Sequence, residues 1–93
     1  MRLSQKEIEF IKKTIKKYFK DAKIYLFGSI LNDEIKGGDV DIYIITTQSV
    51  DFEKKALLKF ELQNFLYRPV DLVFHKDFNL EIEKEARKGI AIH

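Results

Sequence analysis

Two aspartates in this 93-residue chain are spaced so that their carboxylates can share a divalent cation. Asp39 and Asp41 are separated by one residue in a segment of branched and aromatic side chains, which predicts a strand. Side chains at i and i+2 leave the same face of a strand, with Cα atoms about 6.5–7 Å apart. Mg²⁺ takes oxygen ligands, usually one or two carboxylates with substrate phosphates. The pair predicts a magnesium site, and solvated carboxylates at a strand edge are the alternative.

A third aspartate, Asp71, interrupts the apolar run Val70–Phe74. An unpaired buried carboxylate costs several kcal/mol, so Asp71 requires a metal, a salt bridge or an exposed position. A neighbouring strand with Asp39 and Asp41 would supply the metal. Asp71 is then predicted either to bind an ion or to accept a proton from an attacking hydroxyl.

The dipeptide Gly28-Ser29 directly follows a predicted strand and precedes a helical turn. Such a turn can offer backbone N–H groups and a hydroxyl to phosphate, and glycine allows the ligand to approach closely. A Gly-Ser pair or an Asp-x-Asp pair alone is weak evidence. Their joint order along the chain carries the prediction of a phosphate- and metal-binding site.

Composition limits the classes of protein that this chain can represent. Its length predicts a single domain over residues 1–93. The chain has no cysteine, which excludes disulfides and thiolate metal sites, and its net charge of +2 does not by itself predict nucleic-acid binding. Without a signal-peptide core or a membrane span, it is predicted to be cytoplasmic.

The elements that position these residues follow from hydrophobic spacing and breaker residues. The fold predicted from them is a small mixed three-stranded sheet of the α/β (α+β) class, with helices mainly on one face. The first predicted elements are a helix over 4–21 that begins with the capping box of Ser4 and Glu7, a strand over 23–27, and a helical segment ended by Gly37-Gly38. A strand over 39–45 follows, and then a helix with an apolar stripe at Phe52, Ala56, Leu57, Phe60, Leu62, Phe65 and Leu66. The last predicted elements are a strand over 70–74, a helix capped by Asn79 and stopped at Gly89, and an apolar tail at 90–92 that docks or extends.

Phe27-Gly28-Ser29, then Asp39-Val40-Asp41-Ile42, and later Val70-Asp71-Leu72 together resemble the signature of minimal nucleotidyltransferases of the polymerase-beta-like superfamily. The resemblance spans about residues 22–75. It implies a nucleotidyltransferase fold, with ATP as nucleotide donor and Mg²⁺ as cofactor. Asp39, Asp41 and Asp71 would be the catalytic and metal-binding residues, and Gly28 and Ser29 would bind the nucleotide.

The resemblance also implies a partner and a reaction. Such proteins are often encoded beside a helical HEPN protein, and some act as antitoxins that adenylylate a tyrosine of that toxin. The first hypothesis is therefore an enzyme that transfers AMP to a hydroxyl of a HEPN-type partner by in-line attack at the α-phosphate. The second is a silent binding module that neutralises the partner by covering it. The apolar tail and the phenylalanines indicate either a partner or homo-oligomer interface or a completed core.

One departure favours the second hypothesis. The family commonly has arginines after the Gly-Ser pair, whereas here Ile30, Leu31 and Asn32 are followed by two acidic residues, with Lys36 as a candidate replacement. Fewer cations near phosphate predict weaker catalysis.

Two other groups have a structural and a functional interpretation. His75 is either structural or close enough to Asp71 to touch substrate. Five lysines on one arc of the first helix form either a solvated face or a surface for an acidic partner or RNA: Lys12, Lys13, Lys16, Lys17 and Lys20.

Overall fold

The computed structural model describes residues 2–34 and 38–93. The elements are α1 (Gln5–Tyr18), β1 (Lys23–Phe27), a 3-10 turn (Gly28–Leu31), β2 (Val40–Ile45), α2 (Phe52–Leu66), β3 (Val70–Phe74), α3 (Glu81–Arg87) and β4 (Ile90–Ala91). The sheet order is β3-β2-β1-β4, and β2 is parallel to β3 and antiparallel to β1. The mixed α/β sheet is confirmed, but it has four strands and not the predicted three. No helix in the described ranges is long and apolar enough to cross a membrane.

The fourth strand comes from the apolar tail, which extends the sheet. Ile90 and Ala91 pair antiparallel with Leu26 and Tyr25 of β1. The chain can approach β1 because residue 89 is glycine: a Cβ there would lie 2.0 Å from the Leu26 carbonyl oxygen, closer than any real contact. Whether an apolar tail pairs with a sheet edge depends on its position in the folded protein. The short apolar sequence therefore could not distinguish a tail that docks from one that extends the sheet.

The start of α1 confirms the predicted capping box. The Ser4 hydroxyl accepts a hydrogen bond from the Glu7 N–H at 3.1 Å, and the Glu7 carboxylate accepts one from the Ser4 N–H at 2.9 Å. The helix ends at Tyr18 rather than at the predicted Asp21, because Phe19 has an extended backbone conformation (φ −136°) and is fully buried.

The two faces of the sheet carry different helices. Side chains such as Ile24, Leu26 and Ile42 enter the main core, where α1 and α2 cover them. The opposite face is smaller: Phe27 and Tyr43 pack against Ala86 of α3. Two helices therefore lie on one face and a short third helix lies on the other.

The apolar stripe predicted for α2 is wrong in part. The buried residues of α2 are Leu58, Leu62 and Leu66, which follow one another at four-residue spacing. Phe52, Leu57, Phe60 and Phe65 are exposed, by 87% in the case of Phe52. Large apolar residues are spread around this helix, so spacing alone did not identify its buried face.

The predicted cap of α3 and the predicted end of the segment after β1 also differ. Leu80, not Asn79, stands at the N-cap of α3, and it makes no side-chain capping bond. The segment after β1 is a 3-10 turn that ends at Leu31. Gly37, part of the predicted Gly37-Gly38 stop, lies outside the described residues.

Candidate active site

The parallel pairing of β2 with β3 brings two of the predicted carboxylates side by side. Asp41 is in register with Asp71, and the Val40 N–H donates to the Pro69 carbonyl at 2.9 Å, which anchors the start of this pairing. Asp39 immediately precedes β2 and is exposed. Val40 and Ile42 are fully buried in the main core, as alternation predicts, and they hold the carboxylate-bearing strand in place.

The carboxylates of this site act on one another electrostatically. Partial burial, the negative charge of Asp71 and then that of Asp39 raise the pKa of Asp41 above its ordinary value. Among residues 2–34 and 38–93, no lysine or arginine forms an ion pair with any of the three aspartates. The salt-bridge alternative for Asp71 therefore finds no partner in these ranges.

The Gly-Ser turn lies directly against these carboxylates. Phe27, the last residue of β1, pairs with Asp41, so the chain enters the turn beside that aspartate. Gly28 has φ +79°, and a Cβ added to it would lie 2.3 Å from Oδ2 of Asp41. A side chain at residue 28 would fill the space next to the carboxylate, so glycine keeps the approach to Asp41 open.

The next residue of the turn faces the segment that leads to Asp39. A Cβ added to Gly38, which has φ +96°, would lie 3.1 Å from the Ser29 hydroxyl oxygen. Ser29 therefore lies close to the residue that precedes Asp39. The fold brings Gly28 and Ser29 to the edge that carries the three aspartates, although the chain separates them by about ten residues or more.

The donor set fits a hard divalent cation, because it consists of carboxylate and hydroxyl oxygens. Within the described ranges, no three Asp, Glu, His or Cys side chains are already gathered closely enough to hold an ion alone. Mg²⁺ usually binds one or two carboxylates and completes its shell with water and substrate phosphates. The edge therefore fits a cation that arrives with a nucleotide better than one held permanently by the protein.

A buried carboxylate that the sequence interpretation missed lies further along the same face of the sheet. Glu83 of α3 is 1% exposed and accepts a hydrogen bond from the Tyr43 hydroxyl at 2.5 Å. Glu83 lies three residues before the buried Ala86, at helical spacing, but that spacing alone does not distinguish it from the other charged residues of α3.

His75 belongs to this second cluster and not to the aspartate site. Its Nδ1 lies 2.7 Å from Oε1 of Glu83, and its ring stacks on Phe78. Asp71 is near the beginning of β3 and His75 follows its end, about 13 Å further along a strand. These contacts support the structural interpretation of His75 and place its ring away from Asp71.

The aspartates do not line the depression on the outer side of α1 and α2. This depression has a volume of about 520 Å³ and is lined by Phe10, Phe60, Glu61, Asn64, Phe65 and Tyr67. Its lining combines aromatic rings with the polar side chains of Glu61 and Asn64. Asp39 and Asp71, in contrast, are exposed at the edge of the sheet and do not line this depression.

The sequence from residue 9 to residue 93 matches the family model described as polymerase beta, nucleotidyltransferase, and the chain belongs to this family. No curated protein matches the chain closely enough to indicate a relative. The family membership confirms the class to which the spacing of the Gly-Ser turn and the aspartates pointed.

Three solved structures with a similar fold are toxin–antitoxin complexes. One contains a tri-AMPylated HEPN toxin of Shewanella oneidensis with its MNT antitoxin; it is 22% identical, with a TM-score of 0.78 over 98% of this chain and 72% of the other. A second, the toxin–antitoxin MntA–HepT, is 26% identical, with a TM-score of 0.60 over 76% of this chain and 55% of the other. A mutant of the MntA pair is 20% identical, with a TM-score of 0.74 over 92% and 71%.

Proposed function

We propose that this protein is a Mg²⁺-dependent nucleotidyltransferase that moves AMP from ATP onto a hydroxyl of a macromolecular acceptor. The observation that carries the proposal is the convergence of Asp39, Asp41 and Asp71 with the Gly28-Ser29 turn at one edge of the sheet. Membership of the nucleotidyltransferase family supports the reaction class. The AMPylated toxin in one structural neighbour supports AMP as the transferred group.

In the proposed reaction, the acceptor oxygen forms a bond to the α-phosphorus while the bond from that phosphorus to the bridging oxygen breaks. Pyrophosphate leaves, and the proton of the acceptor hydroxyl passes to a carboxylate or to water. Asp39 and Asp41 would hold the cation, which neutralises phosphate charge when bound. The Gly-Ser turn would hold phosphate oxygens through backbone N–H groups and the Ser29 hydroxyl, so that the α-phosphorus faces the acceptor.

Asp71 suits either of two roles because it is exposed and lies in register with Asp41. An Asp71→Asn variant separates these roles. Loss of metal-dependent nucleotide binding together with transfer identifies a metal ligand. Retained binding with at least ~100-fold slower transfer identifies the proton acceptor, because general-base catalysis contributes about 10²–10⁴-fold.

The acceptor we propose is a HEPN-type helical protein. Three structural neighbours contain a toxin and an antitoxin together, and the aspartate edge is open enough to face a second protein. The test is incubation of the purified chain with its HEPN-type partner and labelled ATP, with an Asp39→Asn, Asp41→Asn double variant as control. Label on the partner that depends on Mg²⁺ and is lost in the double variant supports the proposal, and absence of label contradicts it.

A second candidate function is that of a silent binding module, favoured by the residues that follow Ser29. Ile30 and Leu31 are uncharged, and they pack into the core, Ile30 fully and Leu31 in part. These two positions therefore bring no positive charge to a phosphate. Lys36, the candidate replacement, lies outside the described residues. A silent module would bind and neutralise its partner equally well with and without the double substitution, and it would not bind nucleotide in a metal-dependent manner.

Nucleic-acid binding through the lysine face is the weakest candidate. Lys17 already forms an ion pair of 2.6 Å with Glu61 of α2. The near-neutral net charge also gives little general attraction for phosphate backbones. Solvation explains the lysine face without a ligand.

A further inference from the structure

The segment before α1 runs across the Gly-Ser turn. The backbone N–H of Arg2 donates a hydrogen bond to the Ile30 carbonyl at 3.1 Å, and the next residue, Leu3, is buried in the main core. The backbone of Arg2 is therefore held from two sides. This segment and the turn are far apart in sequence, and only the fold brings them together.

The side chain of Arg2 reaches the part of the turn that faces Asp39. Its Nη2 lies 3.3 Å from the Ser29 carbonyl oxygen, to which it donates. A Cβ added to Gly38 would be 3.4 Å from this Nη2 and 3.1 Å from the Ser29 hydroxyl oxygen. The guanidinium and the hydroxyl therefore border the same space, next to the residue that precedes Asp39.

The guanidinium of Arg2 is not fully paired within the described residues. Its Nε is buried without a hydrogen-bond partner, and no carboxylate among residues 2–34 and 38–93 forms an ion pair with it. A buried donor without a partner is unfavourable, so a ligand oxygen that it can reach would be stabilising. Two other arginines also have a buried unpartnered nitrogen, but neither Arg68 nor Arg87 contacts the Gly-Ser turn.

The three aspartates make this edge negative, and a triphosphate would add more negative charge. We propose that Arg2 binds the phosphate tail of the nucleoside triphosphate, beside the Ser29 hydroxyl. This inference rests on the nucleotidyltransferase function proposed above. A guanidinium suits this position because its planar fork donates two parallel hydrogen bonds to phosphate oxygens.

The test is calorimetric titration with a non-hydrolysable ATP analogue and, separately, with AMP, both with Mg²⁺. Arg2→Gln removes the charge and the guanidinium fork but keeps a shorter polar side chain. We expect it to weaken binding of the ATP analogue about 10-fold to 100-fold, since hydrogen bonds to charged groups contribute about 1.5–3 kcal/mol. Binding of AMP, which lacks the phosphate tail, should change less than about 3-fold.

Two further variants separate the contact from general effects of charge and folding. Lys6→Gln removes one positive charge from an exposed position in the first turn of α1 and should leave both affinities unchanged. Arg2→Lys keeps the charge but loses the fork, so it should fall between the unaltered chain and Arg2→Gln for the ATP analogue alone. Thermal melting of each variant reports whether it folds, and Arg2→Lys carries the test if Arg2→Gln does not.

The outcomes distinguish this inference from the function on which it rests. If Arg2→Gln binds the ATP analogue as well as the unaltered chain, while the Asp39→Asn, Asp41→Asn variant loses binding, the role of Arg2 is wrong and the proposed function stands. Equal weakening for the ATP analogue and AMP would make Arg2 a structural residue. If the unaltered chain binds neither ligand, the inference and the proposed function both fall.

Discussion

The hydroxyl of Tyr43 donates a 2.5 Å hydrogen bond to Oε1 of Glu83, and this contact joins the middle of β2 to α3. The other carboxylate oxygen accepts the backbone N–H groups of Lys76 and Asp77 at 2.8 and 2.9 Å. Burial by itself would raise the pKa of Glu83, but these hydrogen bonds and the one from His75 outweigh burial and lower it to about 2. Burial and the Glu83 contact raise the pKa of Tyr43 to about 12.

The first prediction concerns pH. Because the pKa of Glu83 is lower in the folded protein than its ordinary value of 4.5, the unfolded chain binds the proton more readily. The stability contributed by ionised Glu83 is therefore complete above about pH 5 and is lost as the pH falls towards 2. Urea unfolding should show that Glu83→Gln costs about 2–3 kcal/mol at pH 7 and progressively less in acid.

Glu81→Gln is the matched control, since Glu81 lies on the same helix and its side chain is 88% exposed. It should change the free energy of unfolding by less than about 0.5 kcal/mol at every pH. A constant difference between Glu83→Gln and the unaltered chain from pH 7 to pH 3 would contradict the assigned pKa.

Sequence reasoning predicted three of the four strands, and the proximity of Asp41 to Asp71, because the signals are local. β1 and β3 have the predicted bounds, since Gly28 follows one apolar run and Pro69 precedes the other. The alternation around Asp41 fixes which side chains share a face, whatever the neighbouring strand is. Order along the chain was then enough to predict that the Gly-Ser turn and the three aspartates belong together.

The rest depends on contacts between distant parts of the chain. Glu83 is an acidic residue in a charged helix, and only the packing of α3 against Tyr43 shows that it is buried. Likewise, nothing in the residues around Arg2 indicates that its side chain meets Ser29. Tertiary contact, not local propensity, assigns roles to these two residues.

The second prediction concerns the glycine beside Asp41. Gly28→Ala places a methyl group where Oδ2 of Asp41 lies, and it forces a left-handed backbone on alanine, which costs about 1–2 kcal/mol alone. We expect a total loss of more than about 2 kcal/mol in urea unfolding. In an Asp41→Ala background the clash is absent, so the cost of Gly28→Ala should fall to that of the backbone conformation. Equal costs in the two backgrounds would show that Gly28 and Asp41 do not meet.

The third prediction concerns the metal. In Asp41→Asn the repulsion from Asp71 and Asp39 is removed, so without Mg²⁺ this variant should be more stable than the unaltered chain by about 0.5–2 kcal/mol. Mg²⁺ with an ATP analogue should raise the melting temperature of the unaltered chain, because a ligand that binds the folded state stabilises it, and should not raise that of the variant. Addition of a chelator should reverse the rise. A variant that is less stable without metal, yet stabilised equally by Mg²⁺ and nucleotide, would argue against a shared carboxylate site.

The fourth prediction uses two adjacent leucines on α2 that share the same helix and chemistry but differ in burial. Leu58 is fully buried, whereas Leu57 is 47% exposed. Replacing Leu58 by alanine leaves a cavity between α2 and the sheet, so it should lower the free energy of unfolding by about 2–5 kcal/mol. Leu57→Ala removes a side chain that is largely in contact with water, and it should cost less than about 1 kcal/mol. Urea unfolding of the two variants measures both values under one condition. If Leu57→Ala were the costlier change, α2 would bury the face that contains Leu57 and not the face that contains Leu58.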